Sequence, residues 1–90
     1  MNNYLLSIQY DGTNYNGWQY QANARSVQEE IEKSLKIILK EEIKIIGSSR
    51  TDAGVHALDQ KANFRIEKTL DTFKLNYSLN SILPKDIYIK

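Results

Sequence analysis

The sequence predicts one α+β domain in which four strands and two helices follow the order βαββαβ. Three observations predict it. Several segments alternate apolar and polar residues at a period of two. Two others carry apolar residues at helical spacing behind residues suited to capping. Turn signals separate the segments, and the chain is 90 residues long, the size of a single modest domain.

The first strand spans Tyr4–Tyr10. Tyr4, Leu6, Ile8 and Tyr10 point one way and Leu5, Ser7 and Gln9 the other. Asp11-Gly12 signals a turn. From Asp11 to Arg25 no period is evident, and Tyr15, Trp18 and Tyr20 lie among Asn, Gln and Gly. An irregular loop of this length is uncommon in a compact domain and often functional. Its aromatics could stack on bases or close a small core of their own. Ser26–Lys40 is the clearest helix. Ser26 and Glu29 have the spacing of a capping box, Val27, Ile31, Leu35, Ile38 and Leu39 form one stripe, and Glu29–Lys33 and Glu32–Lys36 are candidate i,i+4 pairs.

A second strand is expected over Ile43–Ser49 and a third over His56–Ile66. In the third, His56, Leu58, Gln60, Ala62, Phe64 and Ile66 share one face, and Ala57, Asp59, Lys61, Asn63 and Arg65 the other. Asp71 or Thr72 can cap a second helix with Leu75, Leu79 and Ile82 on one stripe, stopped by Pro84. Ile87 and Ile89 alternate with Tyr88 and Lys90 in a last strand. The order is that of the split βαβ, or ferredoxin-like, arrangement: a four-stranded antiparallel sheet with both helices on one face. Ser7, Gln9, Lys61, Asn63, Arg65 and Tyr88 then lie on the open face, which is either solvated, packed on another domain, or a surface for RNA.

Composition narrows the function classes. The net charge is +1, so any basic surface is local rather than global. There is no cysteine, which excludes disulfides and thiol chemistry. No apolar run approaches the ~18 residues of a membrane helix. The start, MNNYLLSIQY, has no basic segment ahead of a long apolar one, so a cytoplasmic location is expected. Gly12 and Gly17 do not have the spacing of a phosphate-binding loop. His56, Asp52 and Asp59 are the conceivable metal ligands, but one histidine without cysteines favours a structural role, and no metal or cofactor is expected.

The chemistry-bearing stretch is GSSRTDAGVHALDQ, residues 47–60. In extended backbone Arg50 and Asp52 project to the same side. A guanidinium beside a carboxylate favours its ionised form, available as nucleophile or general base. Gly54 permits unusual backbone angles and close approach of a ligand. The same residues also suit an ordinary turn with a surface ion pair.

These motifs resemble a known family. YDGTNYNGWQYQ, RSVQEEIEKSL, GSSRTDAGVHALDQKANF and LNSILPKDI, in that order from Tyr4 to Ile89, are similar to consecutive motifs of the tRNA pseudouridine synthase A family. The resemblance implies a cofactor-independent isomerisation of uridine to pseudouridine in the tRNA anticodon stem-loop. It implies that Asp52 is the nucleophile, that Arg50 helps displace the target base, and that Thr51, Gly54, His56, Gln60, Arg25 and Lys61 serve substrate binding. A stem base must be flipped out to react, within a basic surface that reads the backbone; Arg50, Arg25, Lys61 and Arg65 are the candidate cations. Family members are more than twice this long, are homodimers, and place the catalytic cleft between two halves of related topology. Residues 1–90 are then expected to be the N-terminal, nucleophile-bearing half, inactive by itself. Two other readings compete: a non-catalytic ferredoxin-like RNA-binding module, in which Asp52 is dispensable, and a small-molecule or acyl-phosphate-cleaving domain of the same fold.

Overall fold

A computed structural model describes residues 1–49 and 51–90 of the chain. The strands are β1 (Asn2–Tyr10), β2 (Ile46–Gly47), β3 (Ala57–Ile66) and β4 (Ile87–Ile89), and the helices α1 (Val27–Leu39) and α2 (Thr72–Ile82). The sheet order is β2-β3-β1-β4 with every pairing antiparallel, the ferredoxin-like arrangement that the sequence predicts. Leu6, Ile8 and Tyr10 of β1, Ala62, Phe64 and Ile66 of β3, and Ile87 and Ile89 of β4 form one core with Val27, Ile31, Leu35 and Leu39 of α1 and Leu75 and Leu79 of α2. A single core shared by both helices and one side of the sheet leaves the other side open.

The N-cap residues follow the sequence, but the return bond of a capping box, from the Ser26 N–H to the Glu29 side chain, is absent among the described residues. Ser26 Oγ accepts from the Glu29 N–H at 3.2 Å and Asp71 Oδ1 from the Lys74 N–H at 3.2 Å, each satisfying a first-turn donor. The charged side chains of α1 pair differently from expectation. Lys36 meets Glu42 at 2.6 Å, and Glu32 meets Lys44 at 3.7 Å. Contacts beyond the helix thus replace the Glu32–Lys36 pair, and among the described residues Glu29–Lys33 does not form; such pairs are worth only a few tenths of a kcal/mol in any case (about 0.2–0.5).

Three further expectations are corrected. First, the strand expected over Ile43–Ser49 pairs only at Ile46–Gly47. Ile43 and Ile45 are buried, but Ile45 N–H donates to Glu32 Oε2 at 3.0 Å and Ile45 C=O accepts from Gln28 Nε2 at 3.2 Å. Side chains of α1 therefore satisfy the backbone where a ladder would run. Second, β1 and β3 change register between Ile8↔Gln60 and Tyr10↔Ala57, two residues on β1 against three on β3. This bulge resets the alternation, so Ala57 packs on the core and Leu58 is 76% exposed. Third, Ile82 is exposed, and Leu83 takes its place in the core. Pro84 forces the residue before it out of helical geometry (φ −66°, ψ 150°), and that turn points Leu83 inward.

The short outer strand β4 is closed by a side chain. Asn80 on α2 accepts from the Ile89 N–H and donates to its C=O, both at 2.8 Å. One carboxamide thereby occupies both edge groups of Ile89, blunting an edge that could pair with another chain.

Candidate active site

The irregular loop after β1 is a strap over the segment between β2 and β3. Its aromatics divide. Tyr15 and Trp18 are in the core, Trp18 stacking on Tyr10 with centroids 6.3 Å apart, while Tyr20 is exposed. Two of the three thus join the main core rather than closing a small core of their own. From this anchored position the loop backbone reaches the second segment twice: Trp18 N–H donates to Thr51 C=O at 3.2 Å, and Gly54 N–H donates to Tyr15 C=O at 3.1 Å.

Two glycines make this contact possible. A Cβ on Gly12 would collide with the Val55 carbonyl, and one on Gly17 with the Thr51 carbonyl. Gly17 also has φ +88°, in the region L side chains avoid. The sequence reading set these glycines aside because they do not form a phosphate loop; their role is close backbone approach.

The strapped segment carries the predicted residues. Asp52 is exposed and begins a turn closed by the Val55 N–H on its carbonyl at 3.2 Å. It lines an open cleft of about 400 Å³ together with Asn16, Gln19, Gln21, Thr51 and Ala53. Asn16, Gln19 and Gln21 give this lining amide side chains, a type suited to hydrogen-bonding a base edge, with Gln21 Nε2 donating to the Asn16 C=O at 3.0 Å. Thr51 is half-buried, and its Oγ1 shares a hydrogen bond of 2.8 Å with the Tyr10 hydroxyl. Gly54 has φ +78° with open space where a Cβ would stand, so its backbone is free to be approached. Arg50 lies outside the described residues.

The other expected binding residues lie apart from this cleft. Gln60 is only 4% exposed, and its carboxamide is bonded to Ser49 beneath the segment, where a ligand does not reach it. His56 lines a different depression of about 270 Å³, with Tyr10, Asp11, Lys85 and Tyr88. Its Nδ1 accepts from the Gly12 N–H at 2.8 Å, so the 3.1 Å approach of Asp11 Oδ1 to the same unprotonated nitrogen is no ion pair in this arrangement. Thr13, through its hydroxyl and then its N–H, holds the Asp11 carboxyl below the usual range. Lys61 lies on the open sheet face, bonded to Ser7 Oγ at 2.6 Å and paired with Asp59 at 3.1 Å.

Arg25 sits beside the strap. Its guanidinium lies 4.7 Å over the Tyr15 ring and 3.4 Å from Glu30. The Tyr15 hydroxyl donates to Asp86 Oδ1 at 2.5 Å; burial, then that bond, push the phenol well above its ordinary value. Among the described residues no group of three or more His, Asp or Glu side chains could hold a metal, and no helix is long and apolar enough to cross a membrane.

Comparison with known proteins gives one answer. A family model described as tRNA pseudouridine synthase matches residues 6–90. A Caldicellulosiruptor saccharolyticus protein named tRNA pseudouridine synthase A is 56% identical over 90 residues, covering 100% of this chain and 37% of that protein. Proteins of the same name from Thermoanaerobacter sp. (strain X514) and Aquifex aeolicus are 53% and 54% identical, over 99% and 97% of this chain and 36% of each relative. The chain therefore spans a little over a third of the length of these relatives, matching their N-terminal part. A motif-bearing loop strapped at the rim of a ferredoxin-like sheet and a family match over almost every residue agree: the chain belongs to the tRNA pseudouridine synthase family.

Proposed function

We propose that this chain is the nucleophile-bearing portion of a tRNA pseudouridine synthase, with Asp52 the catalytic residue. The observation that carries this reading is the placement of Asp52: exposed, on a segment strapped at two points, and facing a cleft walled by amides. A uridine inside a stem is out of reach of such a carboxylate, so it must be swung out into the cleft first. Asp52 then attacks the nucleotide, the bond from N1 to the ribose breaks, the uracil turns, and C5 bonds to the ribose as the bond to Asp52 breaks and the carboxylate is released. C5 loses a proton and N1 gains one. The isomerisation changes neither oxidation state nor composition, so it needs no redox partner and no group donor.

The family resemblance extends the proposal to the anticodon stem-loop of tRNA as target, to a homodimeric full-length enzyme in the cytoplasm, and to a role for Arg50 in displacing the base. Arg25, stacked on Tyr15 of the strap and 3.4 Å from Glu30, is our candidate for an RNA phosphate contact. The non-catalytic RNA-binding reading would rest on the open sheet face, with Tyr88 and Arg65 exposed there. Asp59 lies 3.1 Å from Lys61 and 3.8 Å from Lys90, which weakens that face as a phosphate surface.

The test uses a chimera in which this chain replaces the matched N-terminal part of the Caldicellulosiruptor saccharolyticus relative. Tritium release from tRNA labelled at uridine C5 reads turnover. Asp52→Asn is expected to lower it by at least about a thousandfold while tRNA binding persists, and the 90-residue chain alone is expected to give little or none. Turnover by Asp52→Asn within tenfold of the unsubstituted chimera would remove the nucleophile role; loss on Lys61→Ala instead would favour the RNA-binding module.

A further inference from the structure

Two polar side chains are buried on the core face of the sheet directly beneath the Asp52 segment. Gln60 of β3 is 4% exposed and Tyr10 of β1 is 3% exposed. Both extend from paired positions on either side of the β1–β3 bulge, toward a segment that has no ladder of its own. Gln60 Nε2 donates to the Ser49 C=O at 2.8 Å, and its Oε1 accepts from the Ser49 hydroxyl at 2.9 Å. The Tyr10 hydroxyl and Thr51 Oγ1 share a bond of 2.8 Å. Ser49 and Thr51 bracket residue 50, and Thr51 adjoins Asp52.

We propose that Gln60 and Tyr10 are positioning residues, a two-point clamp that fixes the backbone on either side of residue 50 and thereby the direction in which Asp52 enters the cleft. The proposal rests on the reading of Asp52 as nucleophile. Stability alone gives little reason for either polar group. Ala62, Phe64 and Ile66 share the Gln60 face and are apolar, and the Tyr10 ring already packs on Trp18. A carboxamide or hydroxyl placed there loses hydration, and its new bonds roughly compensate; what remains is a unique course for the segment bonded to it. The clamp is tightened from above: a Cβ on Gly47 would meet the Trp18 ring and stand 3.0 Å from Gln60 Nε2, so the chain entering the segment lies directly on both side chains. Only a glycine lets β2 sit that low over the carboxamide.

The test uses the chimera described above, with Tyr10→Phe, Gln60→Met and Ser49→Ala compared against Asp52→Asn. Each clamp variant is expected to lower kcat about tenfold, and Tyr10→Phe with Gln60→Met together about a hundredfold, the loss associated with misplacing a reacting group by about 1 Å. KM for tRNA stays within about twofold. Ser49→Thr, which keeps the hydroxyl, holds kcat near the unsubstituted value, a rescue that lost stability would not explain. If Gln60→Met does not fold, Ser49→Ala removes one of its two bonds, that from the Ser49 hydroxyl to Oε1, from the exposed side, and Tyr10→Phe keeps the ring. Singles with kcat within twofold of the unsubstituted chimera, beside an inactive Asp52→Asn, would overturn the clamp and leave the nucleophile standing. An active Asp52→Asn would overturn the reading beneath both.

Discussion

Three glycines at the strap separate two physical penalties, and alanine at each tests the architecture. Gly54 has φ +78° with nothing within 4 Å of a Cβ position, so Gly54→Ala adds backbone strain alone. Gly12 has no positive φ, but its Cβ would overlap the carbonyl of Val55, so Gly12→Ala adds overlap alone. Gly17→Ala adds both, with φ +88° and the Thr51 carbonyl in the way. Left-handed strain costs roughly 1–2 kcal/mol for an L residue, and forced overlap in a packed region roughly 1–3 kcal/mol. Alanine returns about 0.4–1 kcal/mol by restricting the unfolded chain. Gly54→Ala is then expected to cost about 1 kcal/mol, Gly12→Ala about 1–2 kcal/mol, and Gly17→Ala, which carries both penalties, about 3 kcal/mol. A domain of 90 residues has a total stability on the order of 5–13 kcal/mol, so either strap variant removes a visible share. Urea unfolding of the chain, followed by the fluorescence of its single tryptophan, Trp18, measures all three. Gly12→Ala within about 0.5 kcal/mol of the unsubstituted chain, or Gly54→Ala as damaging as Gly17→Ala, would show that the strap does not lie against the Asp52 segment as described.

Tyr15→Phe removes the hydroxyl bonded to Asp86 at 2.5 Å and is expected to destabilise by about 1.5–3 kcal/mol, the range for a bond to a charged group. Because burial and Asp86 raise the folded phenol above its ordinary value of 10.0, its contribution is full below pH 10 and declines as pH rises beyond it; an identical alkaline decline in Tyr15→Phe would contradict that assignment. Arg25→Gln in the chimera is expected to weaken tRNA binding and to reduce the slope of log K against log salt by about one. An unchanged slope would place Arg25 away from phosphate.

Much of the fold was legible because its signals are local. The Ser26 and Asp71 caps, the α1 stripe and the alternation of β1 each depend on residues a few positions apart, and each is where the sequence puts it. Most departures involve contacts at long range; Leu83 is the exception, turned inward by the adjacent Pro84. Nothing near Leu58 announces a bulge, because it arises from how β1 and β3 meet. Nothing near Ile45 says that its backbone will be satisfied by Gln28 and Glu32 rather than by a neighbouring strand. At the site, the RTDAG run marked the segment, but residue type did not separate reachable groups from buried ones. Gln60 reads as a ligand-binding amide until its face of β3 is counted, where it stands in line with Ala62, Phe64 and Ile66. That mismatch of one polar residue in an apolar row was the available signal. Tyr10 offered none, since a tyrosine suits a strand whether or not its hydroxyl has a partner.

Under the proposed reading of Asp52, the arrangement accounts for how an exposed acid on an irregular segment is held in place. Loops without ladders open at low free energy and sample many conformations. Ordering one at the moment of binding would draw on the energy of substrate recognition. Here the ordering happens on folding instead. Residues 49, 51 and 54 are bonded to Gln60, to Tyr10 and Trp18, and to Tyr15, and Gly12 and Gly17 let the strap close on the segment. All four of those partner side chains are buried, so the rigidity of the core is passed to an exposed rim. The surface can therefore remain polar and open, as an arriving nucleotide requires. The same logic accounts for the strap's composition: its aromatics anchor it inward, its glycines let it touch the segment, and its amides at 16, 19 and 21 are left to face the cleft.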